Sequence, residues 1–520
     1  MLKLVTAFWL IQISSSVIAQ SSPEKYAAII TATELKKHLG VIAGPDMEGR
    51  ETATEGQKKA AAYIEEYFKS LNLLTGNGNS YQQVFSLSED SMATSTIKVG
   101  KNELIYGKDY MMSARANKTR QVTSSKIVFA GYGISDSAYN DYDLPDVKGA
   151  IVVLSTGVPG SKNISPKKNS SSILQWSMGR KLREAYNQGA AGVFIISPGM
   201  ATIDSGTANA QRFSGAYLPR DQKDESIGLN YAFISHAFFS KIFGSRNAKK
   251  LLEKSASTSN FLLNDYIVIR ENITFTFSRT SYEKGTSSNV LAVLEGSDKK
   301  DEYVLLTAHY DHLGKKGDVI YYGADDDGSG TTSVLAMASA FAKAKEEGNG
   351  PRRTIVFMTV SGEEEGLWGS EYYSDHPIFP LDKTTVNLNT DMVGRIDPKR
   401  TYGDSLNYLY VIGDDKTSSD LKTISESINT KYTHLELDYK YNDPKDPERI
   451  FYRSDHYNFA RKGIPILFYF NGTHADYHRP TDTVDKINFT LMEKRVQFIF
   501  YTAWEMANRD DMLRRDIPLW

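Results

Sequence analysis

The chain has 520 residues, more than one compact domain usually holds, so its length predicts two or three domains or one domain with a large insertion. The 61 Lys and Arg residues nearly balance the 63 Asp and Glu residues, and a net charge of −2 gives no basic surface of the kind that nucleic-acid binding requires. Cysteine is absent, which excludes disulfide bonds, thiolate nucleophiles, cysteine-ligated zinc and iron–sulfur clusters.

The N-terminal residues have the three parts of a secretory signal. Lys3 precedes an apolar run over residues 4–13, and small residues follow up to Ala19. The run is shorter than the ~20 residues that a membrane span needs. We therefore predict a cleaved signal over residues 1–19, no membrane span, and a secreted or periplasmic protein. A secreted protein without cysteine is ordinary for a bacterial periplasm, so we expect a bacterial source.

A capping pattern marks the first predicted helix. Thr54 provides a hydroxyl at the cap position and Gln57 an amide three residues later, as in a capping box. Apolar residues then recur at helical spacing from Ala60 to Leu71. We expect a helix over about residues 55–71, within a first segment that ends near residue 117.

The second segment, residues 118–280, has the pattern of a smaller β-rich module. Short β-like runs at 126–129, 150–154 and 192–196 are bounded by Gly, Pro, Asn and Asp, and a helical run covers 181–187. Residues 155–172 are rich in Ser, Asn, Pro and Lys, which predicts a surface loop. The segment has few clustered histidines or carboxylates, so we expect no chemistry in it.

The third segment, from about residue 281, alternates strands and helices. Predicted strands cover 289–294, 303–308, 354–360, 386–390 and 464–470, and predicted helices cover 329–345 and 484–506. This alternation predicts an α/β domain with a mixed, largely parallel sheet and helices on both faces. Ligands of such sheets bind at the carboxyl ends of the strands.

Histidines or carboxylates lie at five successive junctions between these predicted strands and helices. They are His309, Asp311 and His312 after one strand, Asp325, Asp326 and Asp327 before the 329–345 helix, Glu363, Glu364 and Glu365, then Asp391, and finally His474, Asp476 and His478. Any of these groups alone is more often a helix cap or a solvated charge run. Together they predict a metal site, because adjacent carboxylates repel one another unless a cation compensates. Nitrogen and oxygen donors without thiolate suit Zn²⁺, with Mn²⁺ or Co²⁺ as substitutes.

The motifs His309-Tyr310-Asp311, 323–330, 361–366, Asp391-Met392 and 478–483 resemble the signature of the co-catalytic dizinc aminopeptidase family, which also contains glutamate carboxypeptidases. The resemblance covers about residues 30–510. It implies the zinc-exopeptidase fold over 20–117 and 281–520. The middle segment, 118–280, resembles more loosely the protease-associated domain that many members carry as an insertion.

The resemblance also implies a role for each matching residue. Two Zn²⁺ ions would be held by five ligands: Asp326 as the bridge, Glu364 and His478 at one ion, and His309 and Asp391 at the other. Glu363 would be the general base, Asp311 would accept a hydrogen bond from His309, and Tyr477 would steady the oxyanion. Family members often have a cis peptide bond after the bridging aspartate. His312, His474, Asp325 and Glu365 are left without a role.

These matches favour a secreted aminopeptidase that acts on peptide substrates, and several alternatives stay open. A dipeptidase or a glutamate-type carboxypeptidase is the enzymatic alternative, although the latter usually carries a long helical domain after the last ligand. A glutaminyl cyclase would keep a single zinc, which the presence of both His309 and Asp391 disfavours. A receptor-like binding protein would lack most ligands. The sequence leaves monomer and dimer equally open.

Overall fold

The computed structural model describes residues 22–135, 140–158, 176–197, 199–200, 204–219, 228–257 and 267–519. The predicted signal over 1–19 and most of the predicted loop over 155–172 lie outside the described residues. The chain forms two compact units, one comprising the chain up to Phe85 and from Thr286 onward, the other Ser86–Gly285. The chain passes between the units within two long strands, Gln82–Val99 and Ile273–Leu294. Among the described residues, no helix combines the length and the apolar composition that crossing a bilayer demands.

The first unit is built on a mixed sheet whose centre is parallel. From one edge, its strands are Glu436–Asp438, Tyr408–Ile412, Ile466–Phe470, Thr384–Thr390, Lys299–His309, Arg353–Val360 and the end of Ile273–Leu294. The four strands from Ile466–Phe470 to Arg353–Val360 are mutually parallel. The strands that flank these four are antiparallel to them. The predicted α/β class with a mixed, largely parallel sheet is therefore confirmed.

Both faces of this sheet are covered, as the runs of apolar residues predict. Leu306 and Leu467 belong to an apolar cluster that includes residues of the helices Gly330–Glu346 and Phe489–Asn508. Their neighbours in sequence, Leu305 and Ile466, point to the other face and join a cluster with Tyr373 and Phe459. Alternate residues of one strand are thus buried against different helical layers.

The helices of the first unit include the three predicted ones. They are Glu24–Ala27, Ala32–Ile42, Glu55–Ser70, Gly330–Glu346, Trp368–Asp375, Leu421–Tyr432, His456–Ala460 and Phe489–Asn508. The last of them begins later than predicted, because Val484–Lys486 forms a separate 3₁₀ turn. Short strands Leu74–Thr75, Lys315–Lys316 and Val319–Ile320 complete the unit.

The helix Glu55–Ser70 forms where the capping pattern predicts it, but only half of the capping box is present. The Thr54 hydroxyl accepts a hydrogen bond from the Gln57 amide nitrogen at 3.5 Å. The Gln57 side chain donates to the Tyr310 hydroxyl instead of returning to the cap. The Thr54 N–H donates to the carbonyl oxygen of Glu51, so the cap needs no second side chain.

The second unit has its own six-stranded sheet and its own apolar core. Its strands run in the order Val268–Ile269, Ile127–Phe129, Ile151–Ser155, Gly192–Ile196, Tyr231–Ile234 and Tyr110–Met111. Further strands are Asn102–Glu103, Arg120–Ser124 and Phe213–Tyr217, and its helices are Met178–Asn187, Ser205–Ala210, His236–Phe243 and Ser245–Ser257. The identification of residues 118–280 as a protease-associated domain stays a prediction.

Candidate metal centre

The carboxyl ends of the parallel strands bring the predicted ligands together. His309 is the last residue of its strand and pairs with Val360, the last residue of the neighbouring strand. Glu363 and Glu364 follow that neighbour within four residues, and Asp391 directly follows Thr384–Thr390. His478 lies in the loop after Ile466–Phe470. Residues separated by up to 169 positions therefore meet at one edge of the sheet.

Asp326 lies between two groups of ligand atoms. Its Oδ1 is 3.3 Å from Nε2 of His309, and that nitrogen is 3.7 Å from Oδ1 of Asp391. Its other oxygen, Oδ2, is 3.2 Å from Nε2 of His478, which is 3.1 Å from Oε2 of Glu364. One carboxylate thus faces two separate ligand sets, which is the arrangement that a bridging ligand requires. The peptide bond from Asp326 to Asp327 is cis, as the resemblance implies.

The backbone holds His309 in the tautomer that ligation needs. Its Nδ1 is 3.1 Å from the carbonyl oxygen of Asp311, which can only accept a hydrogen bond, so Nδ1 carries the proton. Nε2 is then free to face Asp326, and it is buried without a hydrogen-bond partner. The predicted partner, the Asp311 carboxylate, lies 3.6 Å from Nδ1. The nearer acceptor is therefore the main chain of Asp311, not its side chain.

The Asp311 carboxylate positions other parts of the centre. Its Oδ1 accepts a hydrogen bond from the backbone N–H of Glu363 at 3.2 Å, and its Oδ2 accepts from the Thr52 hydroxyl at 2.9 Å. Asp311 thereby fixes the start of the loop that carries Glu363 and Glu364. The Glu363 side chain lines the cavity beside the centre, and its Oε2 is 3.9 Å from Nε2 of His309. The role of Glu363 as a base that is not itself a ligand stays a prediction.

Negative charge dominates the electrostatics of the centre. Burial lowers the pKa of His478, but the carboxylates of Asp326 and Glu364 outweigh it and raise that pKa to about 10. Burial, with the nearby Glu364 and Asp391 carboxylates, raises the pKa of Glu363 well above its usual value. The same field that raises the proton affinity of these groups favours a divalent cation.

Tyr477 and His312 lie at the border of the centre. The Tyr477 ring stacks on the His478 ring with 3.9 Å between centroids, and Tyr477 lines the same cavity as Glu363. His312, to which the sequence assigned no role, has Nδ1 2.8 Å from Oε1 of Glu364. Its other ring nitrogen, Nε2, is buried and has no hydrogen-bond partner among the described residues. His312 is therefore an additional candidate ligand in the described part of the chain.

The Asp327 carboxylate binds the main chain of segments that border the centre. Its Oδ1 accepts from the N–H groups of Gly330 and Met392 at 2.8 and 3.1 Å, and its Oδ2 accepts from the N–H of His309 at 3.2 Å. Its oxygens also lie close enough to His309 and Asp391 to hold a cation with them. Because both oxygens already accept from the main chain, we assign Asp327 to positioning. A Cβ at position 330 would collide with this carboxylate, which explains the glycine there.

The remaining acidic residues of the motifs support the loops. The Asp325 carboxylate lies 3.1 Å from Nε2 of His474 and accepts from the N–H of Gly394 at 2.7 Å. Asp482, which sequence reasoning missed as a site residue, accepts from the backbone N–H groups of Asp325 and Asp326 at 3.0 and 3.1 Å. Glu365 is exposed. Asp325, His474 and Asp482 are thus engaged in fixing the segment that presents Asp326.

Arg50 is a second residue that the sequence did not reveal. It is completely buried, and its guanidinium donates to the carbonyl oxygens of Tyr310, Ile42, Tyr322 and Gly323 at 2.7–3.0 Å. These bonds hold the loop after His309 and the turn before Asp325. No local pattern predicts such a residue, because its partners lie up to 273 positions away.

We expect the substitution Arg50→Met to lower the free energy of unfolding by roughly 3–5 kcal/mol, because it removes four hydrogen bonds to main-chain carbonyl oxygens, of which only that of Gly323 has a second donor among the described residues, the N–H of Gly328. Denaturant unfolding followed by circular dichroism measures this loss. Arg514→Met is the control, since Arg514 pairs with Asp420 at the surface and its loss should cost about 1 kcal/mol or less. Equal losses in the two variants would contradict the role of Arg50.

The donor atoms fit divalent zinc. The centre offers imidazole nitrogens and carboxylate oxygens, which zinc accepts readily. Within the described part of the chain, Nε2 of His309 and Nε2 of His312 are buried without hydrogen-bond partners. Buried polar atoms are rarely left unpaired without a reason. A cation would supply the partner that the protein does not.

Comparison with known proteins agrees with this geometry. Residues 289–503 match the model of peptidase family M28. A vacuolar membrane protease of Saccharomyces cerevisiae is 33% identical over 165 residues, which are 32% of this chain and 16% of that protein. A probable leucine aminopeptidase of Arthroderma otae is 28% identical over 230 residues, 43% of this chain and 59% of that protein. The matching part of the chain thus spans less than two thirds of either relative.

Among solved structures, an aminopeptidase from Aneurinibacillus sp. strain AM-1 shares the fold. It aligns with a TM-score of 0.53 and 20% sequence identity, over 95% of this chain and 98% of that one. The five motifs, the sheet that presents them and the family match over residues 289–503 agree. The chain therefore carries a domain of peptidase family M28, and the co-catalytic zinc exopeptidases are the family that its motifs resemble.

Proposed function

We propose that the protein is a secreted, two-metal aminopeptidase that removes N-terminal residues from peptides. The observation that carries this proposal is the position of Asp326, whose two carboxylate oxygens face different ligand sets. Glu363 lies beside one of these sets, at the wall of an open cavity. A bridging carboxylate next to a free carboxylate and an open cavity suits hydrolysis of a peptide bond.

The residues divide into two ligand sets that share Asp326. His309 and Asp391 would hold one cation, and Glu364 and His478 the other, with His312 next to the second set. When bound, the two cations supply Lewis-acid activation of water and of the scissile carbonyl. We propose zinc for both positions, in accord with the donor atoms.

Two side chains of the cavity would perform the remaining steps. Glu363 takes a proton from the attacking water and returns it to the leaving amine, because it is a carboxylate next to the ligands. The Tyr477 hydroxyl donates a hydrogen bond to the oxygen of the tetrahedral intermediate, since Tyr477 lines the same cavity. Asp311 keeps Glu363 in place through its backbone N–H.

The cavity walls support an apolar first residue in the substrate. Met392, Ile450, Phe468 and Phe470 line it next to the carboxylates of the centre. An apolar side chain buried there gains free energy in proportion to the area removed from water. The carboxylates nearby would attract the α-ammonium group of the same residue. We therefore propose leucine-like N-terminal residues as preferred substrates.

Metal removal tests this function. We expect the protein as isolated to contain about two zinc ions per chain and to release p-nitroaniline from leucine p-nitroanilide. A chelator should abolish this activity, and zinc, manganese or cobalt should restore it. Elemental analysis and the chromogenic assay measure the two quantities. One ion per chain would indicate a single-zinc enzyme, and activity that survives complete removal of the metal would overturn the proposal.

A further inference from the structure

Arg453 is the cationic side chain among the described residues that line the cavity. The other polar lining groups include the carboxylates of Asp326, Glu363 and Asp391, and the rest of the wall is largely apolar. A positive charge in such a cavity is unexpected for a site that only attracts cations and ammonium groups. The contacts of the Arg453 guanidinium therefore indicate which group of the substrate it can bind.

The guanidinium of Arg453 is held close to the centre. Its Nη2 donates a hydrogen bond to the Tyr477 hydroxyl at 3.1 Å, and the Tyr477 ring stacks on His478. In the part of the chain that the structure describes, no Asp or Glu oxygen lies within 4.0 Å of this guanidinium. Arginine has five N–H donors in a planar fork, so one hydrogen bond to Tyr477 leaves donors for a second partner.

We propose that Arg453 binds a carboxylate of the substrate on the C-terminal side of the scissile bond. The proposal rests on the aminopeptidase function and narrows its substrates to dipeptides with a free carboxylate or to peptides with an acidic second residue. A guanidinium binds a carboxylate through charge-assisted, often bidentate hydrogen bonds. The exposed position of Arg453 leaves it accessible to such a group.

Charge decides on which side of the scissile bond this carboxylate lies. The α-ammonium group of a peptide is attracted by Glu363 and Asp391 and repelled by Arg453. The negative group of a short peptide is at its other end. One residue spans at most about 3.6 Å, so the terminal carboxylate of a dipeptide remains next to the cavity when the scissile bond is at the centre. An Asp or Glu side chain on the same residue presents the same chemistry.

Two matched pairs of substrates test the proposal and identify the source of the carboxylate. Leu-Ala is compared with Leu-Ala amide, and Leu-Glu amide with Leu-Gln amide, by measuring kcat/KM with the metal-loaded enzyme. We expect the protein to prefer the carboxylate-bearing substrate about tenfold in at least one pair, mainly through a lower KM. A preference in the first pair identifies the terminal carboxylate, and one in the second pair identifies the side chain.

Variants at two arginines show whether Arg453 causes the preference for the carboxylate-bearing substrate. In Arg453→Met the ratio should fall to about one, and in Arg453→Lys it should fall only in part, because lysine keeps the charge without the planar fork. Arg449→Met is the matched control, since Arg449 stacks on Tyr452 and lines a different cavity. Its ratio should equal that of the unaltered protein.

Two results would overturn the inference while leaving the proposed function intact. They are equal kcat/KM values within both pairs, and a preference that persists in Arg453→Met. If the protein hydrolyses none of the four substrates and does not hydrolyse leucine p-nitroanilide either, the aminopeptidase function is overturned, and this inference with it. Metal content of each variant, measured in parallel, shows whether the centre itself is intact.

Discussion

The substitution Glu363→Gln should lower kcat by about 10²–10⁴-fold and leave the metal content unchanged. Glutamine has the same shape as glutamate, but its amide cannot take a proton from the attacking water. Glu363 lies outside the two ligand sets that share Asp326, so its loss should not release a cation. Its backbone N–H still donates to Asp311 in the variant, which keeps the loop in place.

Elemental analysis and steady-state kinetics with leucine p-nitroanilide together measure this effect. Glu365→Gln is the matched control, because Glu365 is exposed and lies only two positions away on the same loop. It should keep both the metal and the rate. An unchanged kcat in Glu363→Gln would show that the base is elsewhere. Loss of metal in that variant would make Glu363 a ligand.

The sequence predicts the sheet and the site together because both depend on the same pattern. Strands buried on both faces, such as Arg353–Val360, have no polar residues that face solvent, so they are recognised as apolar runs. The carboxyl ends of these parallel strands are where a binding site is expected. His309, Glu364 and Asp391 lie at or just after the ends of such runs, so parallel topology predicts that their segments converge, and the resemblance selects them among the neighbouring histidines and carboxylates.

Elements without such a pattern were missed. The helix Trp368–Asp375 and the strand Tyr408–Ile412 lie in the first unit, and neither was predicted. The strand Ile273–Leu294 is much longer than the predicted 289–294. Its middle part is exposed and polar, so this part lacks the apolar pattern that predicts a strand. Short tyrosine-rich or polar segments of this kind are fixed by tertiary packing rather than by local preference.

The supporting residues of the site were missed for a different reason. Arg50, Asp327 and Asp482 act through hydrogen bonds to the main chain of distant segments. Main-chain acceptors and donors are present at every residue, so no residue type in the partner segment reveals the contact. The same holds for His309, whose Nδ1 meets a backbone carbonyl where the sequence predicts the Asp311 side chain. Residue types indicate the candidate ligand clusters, and the resemblance selects the ligands among them, but neither indicates the residues that support them.

The substitution Asp326→Asn should remove both the metal and the activity. An amide oxygen is a weaker donor to a cation than a carboxylate oxygen, and the amide nitrogen cannot coordinate one. Because the two oxygens of Asp326 face different ligand sets, the change weakens both sites at once. We expect less than one zinc ion per chain and a loss of kcat/KM of at least about 10³-fold, since the reaction depends on both cations.

The fold should survive this change, which makes the result interpretable. The backbone N–H of residue 326 still donates to the Asp482 carboxylate, and the neighbouring charges repel less in the variant. Asp325→Asn is the matched control, because its amide can still accept from Gly394 and donate to His474. Elemental analysis should find the full metal content in the control and circular dichroism the same spectrum in both. Full metal occupancy in Asp326→Asn would show that the carboxylate between the two ligand sets does not bridge them.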